Sequence, residues 1–191
     1  MPEKQKSDLT VFVALLRGVN VGGNNMISMS SLRDSFTRLG FKDVASYINS
    51  GNLLFKTKSE NPRKLEKKIE SMLAKEYKLE SKVVVRSYAE MASLVKKLPK
   101  SWNDHEHWRY NVMFLRHSID SDKILAQLSP KDGIEEVTYV PGTLLWSVEL
   151  SNAQRTTMIK LSSQKIFQDM TVRNLNTTRK LHELMKKMAA N

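Results

Sequence analysis

The chain has no cysteine in 191 residues. That excludes a disulfide framework, thiolate chemistry and a cysteine zinc site. It has no apolar run long enough to cross a bilayer. Residues 1–8 are polar and charged where a signal peptide would be apolar. The expectation is a cytoplasmic protein with no membrane role. There is no serine elbow, no HExxH, no kinase set and no carboxylate pair in a convincing setting. No nucleophile or general base can be nominated, and no cofactor is implied. His105 and His107, with Asp104 and Glu106, are the only metal-ligand grouping. Nothing at a recognisable spacing completes it, so no metal site is assigned.

The charge is lopsided, with a net +11. Residues 101–154 hold 4 basic and 8 acidic side chains, so the excess lies before and after them. A basic balance suggests anionic partners, either phosphorylated small molecules or nucleic acid. Much of this charge is lysine on predicted helices, where it also serves solubility. Nucleic acid binding is not favoured, because Tyr47, Phe55 and Lys56 make a poor version of an interleaved aromatic and basic surface.

Leu9–Leu15 is apolar and β-prone and reads as a buried strand. A glycine-rich loop follows it, from Arg17 to Asn25. Met29–Leu39 then has apolar residues at helical spacing and stops at Gly40, with Ser28, Ser30 and Ser31 as candidate caps. Val44–Ile48 and Leu53–Lys56 flank Asn49-Ser50-Gly51-Asn52 and read as a hairpin. Asn61 caps a helix with Pro62 at its first position. Leu65, Ile69, Met72, Leu73 and Tyr77 give that helix an apolar face. Val83–Val85 closes the unit as a strand. The order is the split βαβ arrangement of a ferredoxin-like unit.

A helix over Tyr88–Leu98 and an aromatic stretch over 101–109 read as a connection, in which Trp102 and Trp108 pin the linker. The second half runs through a strand at Tyr110–Leu115, a short helix capped by Asp120 and reaching Leu128, and a hairpin around Pro141-Gly142. A helical region over Gln154–Phe167 and a last helix over Asn176–Met188 follow, the latter capped by Asn176 or Thr177. No closing strand is evident. The expected fold class is α+β, with two ferredoxin-like subdomains in tandem, the second incomplete or modified. The expected bounds are 1–88, a connection over 89–109, and 110–191.

Three donor-rich turns carry no apolar periodicity. They are Arg17–Asn25, Asn49–Asn52 and Arg173–Thr177. Glycines such as Gly22 and Gly23 let backbone N–H groups approach a ligand, and a helix start favours anions. Turn chemistry alone accounts for the same residues, since Gly and Asn adopt positive φ cheaply.

These turns also carry a likeness. Ala14-Leu15-Leu16-Arg17-Gly18-Val19-Asn20-Val21-Gly22-Gly23, Leu39-Gly40-Phe41 and Tyr47-Ile48-Asn49-Ser50-Gly51-Asn52 resemble the family known as domain of unknown function 1697. Thr171–Leu181 is similar to that family's terminal motif, with Leu175 where Trp is the expected residue and Asn49 where Gln is frequent. The resemblance implies two ferredoxin-like subdomains and no particular activity. It adds weight to the three turns as a shared site.

The leading expectation is a small anionic or nucleotide-like ligand held between the subdomains. Arg17 contacts the anion, Gly22 and Gly23 approach it, and Asn20, Asn49, Ser50, Gly51, Asn52, Arg173, Asn174, Asn176 and Thr177 orient or surround it. One alternative is a nucleic-acid-binding module using the basic surface. The other is interdomain cement, in which the same residues satisfy buried backbone groups at the junction. The oligomeric state is left open.

Overall fold

The structure is a computed structural model that describes residues 9–20, 26–58, 61–161 and 163–191. The first unit runs β1 (Leu9–Leu16), α1 (Met29–Arg38), β2 (Lys42–Ser46), β3 (Asn52–Lys58), α2 (Pro62–Tyr77), β4 (Val83–Ser87) and α3 (Tyr88–Lys97). The second runs β5 (Trp108–Leu115), α4 (Ile124–Leu128), β6 (Glu135–Val140), β7 (Thr143–Glu149), α5 (Met158–Leu161), β8 (Met170–Asn174) and α6 (Leu175–Ala190). The two antiparallel sheets have one strand order: β2-β3-β1-β4 and β6-β7-β5-β8. The α+β class with two ferredoxin-like units is therefore as expected.

β1 reads as an unbroken apolar run because both its faces are covered. Phe12, Ala14 and Leu16 pack with α1 and α2, while Val11, Val13 and Leu15 face a core shared by both units. Phe36, Phe41 and Phe55 form a ring cluster on the first side, with centroids 4.2–5.6 Å apart. Each such side chain contributes roughly 1.5–3 kcal/mol by leaving water. The shared core takes Met91 and Leu94 of α3, Leu181 and Met185 of α6, and Val112 and Phe114 of β5. α3 is thus a layer element, standing after β4 as α6 stands after β8. Trp102 is buried and stacks on Tyr110 at 4.9 Å, which ties the chain after α3 to β5. Leu175, in the place where Trp was expected, is also core.

Four expectations are corrected. The second unit does have a closing strand, β8, paired antiparallel with β5. Arg173 and Asn174 interrupt its apolar character and hide it. The helix over Gln154–Phe167 is broken into α5 and 3-10 turns. Hydroxyl residues divert its backbone: Thr156 Oγ1 donates to the Ala153 carbonyl, and Glu135 Oε1 takes both Thr157 N–H (2.9 Å) and Thr157 Oγ1–H (2.6 Å). Asp120 does not cap a helix. Its Oδ1 accepts from the Tyr139 hydroxyl (2.9 Å) and Gly142 N–H (2.8 Å) across the β6–β7 turn. The last helix is capped by Asn174, not Asn176 or Thr177, and Thr177 N–H donates to Asn174 Oδ1 at 2.7 Å. Ser28 holds the N-cap position of α1, but its hydroxyl meets Ser30 rather than a backbone N–H.

Candidate functional site

Arg173 leaves β8 and enters the first unit. Its Nε donates to Asn52 Oδ1 at 2.6 Å. Its Nη1 donates to Thr171 Oγ1 and the Val172 carbonyl, and its Nη2 donates to the carbonyls of Leu16 and Ser50 at 3.0 Å each. All its nitrogens are therefore engaged. Burial alone pushes its pKa down to about 10, because every acceptor around the guanidinium is neutral. Asn52 is fully buried, and its Nδ2 donates to the Tyr47 carbonyl and Ser50 Oγ. Gly51 has φ +70°, and a Cβ there would lie 2.9 Å from Leu16 Cβ. The backbone needs glycine at this turn for both reasons.

Arg86 does the same in the other direction. It stands on β4 opposite Val13 of β1, as Arg173 stands on β8 opposite Val112 of β5. Its Nη2 donates to the carbonyls of Leu115 and Gly142, the latter at 2.9 Å, and its Nη1 to Val85. Leu115 and Gly142 match Leu16 and Gly51: Leu115 N–H donates to Gly142 at 2.9 Å and Leu16 N–H to Gly51 at 2.8 Å. Burial lowers the Arg86 pKa, and Glu90, Glu66 and Asp120 partly restore it.

A second pair follows from the same correspondence. Arg17 ends β1 as Arg116 ends β5, and their N–H groups donate to Lys82 and Asp169. Arg116 crosses to α2, where Glu70 pairs with it and Glu66 lies 4.0 Å away, and Asp169 lies at 3.6 Å. Arg17 crosses to the second unit and lies over the Phe167 ring at 5.2 Å. Among the described residues its guanidinium meets no carboxylate. It opens onto a polar cleft of about 620 Å³, whose walls include Ser71, Glu80, Ser81 and Lys82 from the first unit and Gln164 and Gln168 from the second.

The remaining expected site residues divide between loop ties and solvent. Asn20, at φ 55°, holds its own loop together. Its Oδ1 accepts from Ile27 N–H at 2.7 Å, and its Nδ2 donates to the Ile27 and Asn49 carbonyls at 2.9 Å. Asn49 is exposed. Ser50 and Gly51 offer their carbonyls to Arg173. Asn174 and Thr177 form the α6 cap, and Asn176 is exposed beside Trp108 and His105. Gly22 and Gly23 lie outside the described residues. Phe55 is sealed in the core, so it forms no surface with Tyr47 and Lys56. His107 pairs with Asp104 at 3.0 Å, and no cluster of three metal-ligating side chains occurs among the described residues.

Arg86, Arg116 and Lys82 were not picked out by the sequence reading. A signal for two of them was present. Val85-Arg86-Ser87 and Val172-Arg173-Asn174 each set an arginine just before a helix cap, and Leu16-Arg17 and Leu115-Arg116 each set one at the end of an apolar strand.

The fold and these exchanged arginines define an α+β protein of two interlocked ferredoxin-like units. The chain belongs to the family described as Protein of unknown function (DUF1697), whose model matches residues 9–146. The terminal segment that carries Arg173 lies beyond that match. A conserved bacterial protein from Streptococcus pneumoniae has the same fold, with TM-score 0.81 and 27% identity over 93% of this chain and 99% of its own. An unknown protein from Galdieria sulphuraria pairs at 13% identity over 87% of this chain and 97% of its own, with TM-score 0.22, too loose to bear on the fold. No curated protein matches the chain.

Proposed function

We propose that the protein binds a small anionic or nucleotide-like ligand in the cleft between its units, with Arg17 and Lys82 as the anion contacts. The observation that carries this reading is the contrast between Arg17 and Arg116. The two hold matched positions, yet three carboxylates surround Arg116 and none meets Arg17 among the described residues. Among the described residues this half-buried guanidinium over a ring donates no hydrogen bond, and the cleft of about 620 Å³ at which it stands has room for a nucleotide-sized guest.

In this reading the Asn49–Asn52 and Arg173–Thr177 turns are the interdomain cement that holds the cleft in shape. They do not touch the ligand. Arg173 has no nitrogen left to offer, and Asn52 has none either. Among the described residues no helix is long and apolar enough to cross a membrane. The cysteine-free composition needs no oxidising compartment, which supports a cytoplasmic location.

The test is thermal stability against a panel of nucleotides, sugar phosphates and organic anions. A compound that binds raises Tm by linkage, and the rise is lost in Arg17→Ala and reduced in Lys82→Ala. Absence of any rise across the panel overturns the reading.

A further inference from the structure

The two exchanged arginines differ in one bond. Asn52 and Thr143 hold matched positions, opposite Leu15 of β1 and Phe114 of β5. Asn52 Oδ1 takes the Nε–H of Arg173. Thr143 turns its hydroxyl to the Val140 carbonyl instead, at 3.3 Å. Among the described residues the Nε–H of Arg86 therefore has no acceptor. None of their fully sealed side-chain nitrogens or oxygens lacks a partner, so this Nε–H faces open space although Arg86 is only 3% exposed.

That space is a cavity of about 200 Å³ between α3 and the β6–β7 turn, lined by Arg86, Glu90, Ser93, Lys97, His117 and Asp120 among others. It is distinct from the Arg17 cleft and shares no lining residue with it. Its volume suits a molecule of a few heavy atoms, below the size of drug-like guests. Its charges nearly balance. Arg86 and Lys97 face Glu90 and Asp120, and burial together with Arg86 holds the His117 imidazole below its usual pKa. Glu90 Oε2 takes Ser87 N–H and Oγ–H, and Asp120 Oδ1 takes Tyr139 and Gly142. Among the described residues Glu90 Oε1 and Asp120 Oδ2 make no such bonds and can accept from a guest.

We propose that this cavity binds a small carboxylic acid with a neighbouring hydroxyl or ammonium group, the carboxylate taking on Arg86 the place that the Asn52 side-chain oxygen takes on Arg173. The carboxylate sits between Arg86 Nε–H and the Lys97 ammonium. The adjacent donor reaches Glu90 or Asp120. A zwitterion leaves the cavity neutral and a monoanion adds one negative charge, whereas a dianion such as hydrogen phosphate adds two and with them more repulsion from the two carboxylates.

The test is a titration of the full chain with glycolate and with glycine, read by the NMR resonances of the His117 ring and the Arg86 Nε–H. Saturable shifts in both groups with either probe are expected, with inorganic phosphate giving none. Thr143→Asn supplies the internal acceptor that Arg173 already has, and it abolishes the shifts. Lys97→Ala, on an exposed helix face, folds as the parent and weakens binding about tenfold, the effect of one charge-assisted bond. Arg17→Ala leaves these shifts unchanged, which separates this cavity from the interdomain cleft. No saturable shift with either probe, shifts with phosphate alone, or undiminished binding in Lys97→Ala overturns the proposal.

Discussion

Arg86 and Arg173 occupy one position in two different sheets, and each donates into the strand-end and hairpin carbonyls of the other's unit. The exchange is reciprocal: Arg86 grips Leu115 and Gly142, and Arg173 grips Leu16 and Ser50. Each arginine precedes a helix cap, Ser87 or Asn174, so the same turn that starts α3 or α6 fixes the arginine above it. The junction is therefore built from backbone carbonyls and cations, with a shared apolar core beneath.

Removing Arg173 strands several buried acceptors at once. Arg173→Ala should cost about 3 kcal/mol or more, since each buried acceptor left unpaired costs roughly 1–3 kcal/mol. Arg173→Lys should rescue little of this, because a single ammonium cannot reach Asn52, Leu16 and Ser50 together. Urea denaturation of the two variants measures both. A Lys variant as stable as the parent removes the argument from fork geometry.

The Gly51 turn admits no side chain. At Gly133, φ is +69° with nothing within 4 Å of a built Cβ, whereas at Gly51 the backbone is equally left-handed and Leu16 Cβ stands at 2.9 Å. Gly133→Ala should carry only the left-handed cost of about 1–2 kcal/mol. Gly51→Ala should exceed it, through a contact that must shift β1 or the hairpin. The Tm difference between the two variants isolates the steric part, and equal losses would show that the turn relaxes freely.

Much of the first unit's fold is legible in the sequence. The strand, loop and helix order of the first unit follows from β1's apolar run, the Asn61-Pro62 start of α2 and the β-branched Val83–Val85. The site was less legible. Arg173 in a polar turn looks the same whether it awaits a ligand or fills its own cage, because sequence does not say which acceptors lie near. β8 was hidden for the same reason, since Arg173 and Asn174 break its apolar pattern in order to reach the first unit and cap α6. The matched pairs Leu16-Arg17 with Leu115-Arg116, and Val85-Arg86 with Val172-Arg173, were visible as strings. Their meaning depends on strand register, which only pairing across the sheet supplies.

Glu135 gives the protein an acid-sensitive joint in its second unit. Burial opposes its charge, but hydrogen bonds from Thr157, Trp146 and Lys131 outweigh that and hold its pKa below the usual 4.5. Trp146 Nε1 donates to Glu135 Oε2 at 2.7 Å. The folded state therefore takes up this proton at a lower pH than the unfolded chain. The stability this supplies is complete above the unfolded pKa and drains as pH falls through the folded one. Glu135→Gln should be less stable at neutral pH and should flatten the pH dependence of stability between about pH 5 and 3. Urea titrations of the parent and the variant at several pH values, followed by the fluorescence of a Trp102→Phe, Trp108→Phe background in which Trp146 is the single tryptophan, read this joint. A parallel pH curve in the variant would assign the acid sensitivity elsewhere.

The matched pair Arg17 and Arg116 tests the functional reading through stability alone. Arg116 answers Glu66 and Glu70 of α2, and Glu66 is only 2% exposed. Burial raises the Glu66 pKa, against the opposing pull of Val85 N–H and Arg116. Arg116→Ala removes the cation paired with Glu70 and one of the two beside the buried Glu66, so a loss of about 3 kcal/mol is expected. Among the described residues the Arg17 guanidinium meets the Phe167 ring and no carboxylate, and Arg17→Ala should cost under about 1 kcal/mol. A residue that costs the fold so little is available for a guest, whereas a structural arginine at the same strand end is not. Equal losses in the two variants would make Arg17 part of the frame and leave the cleft without its anion contact.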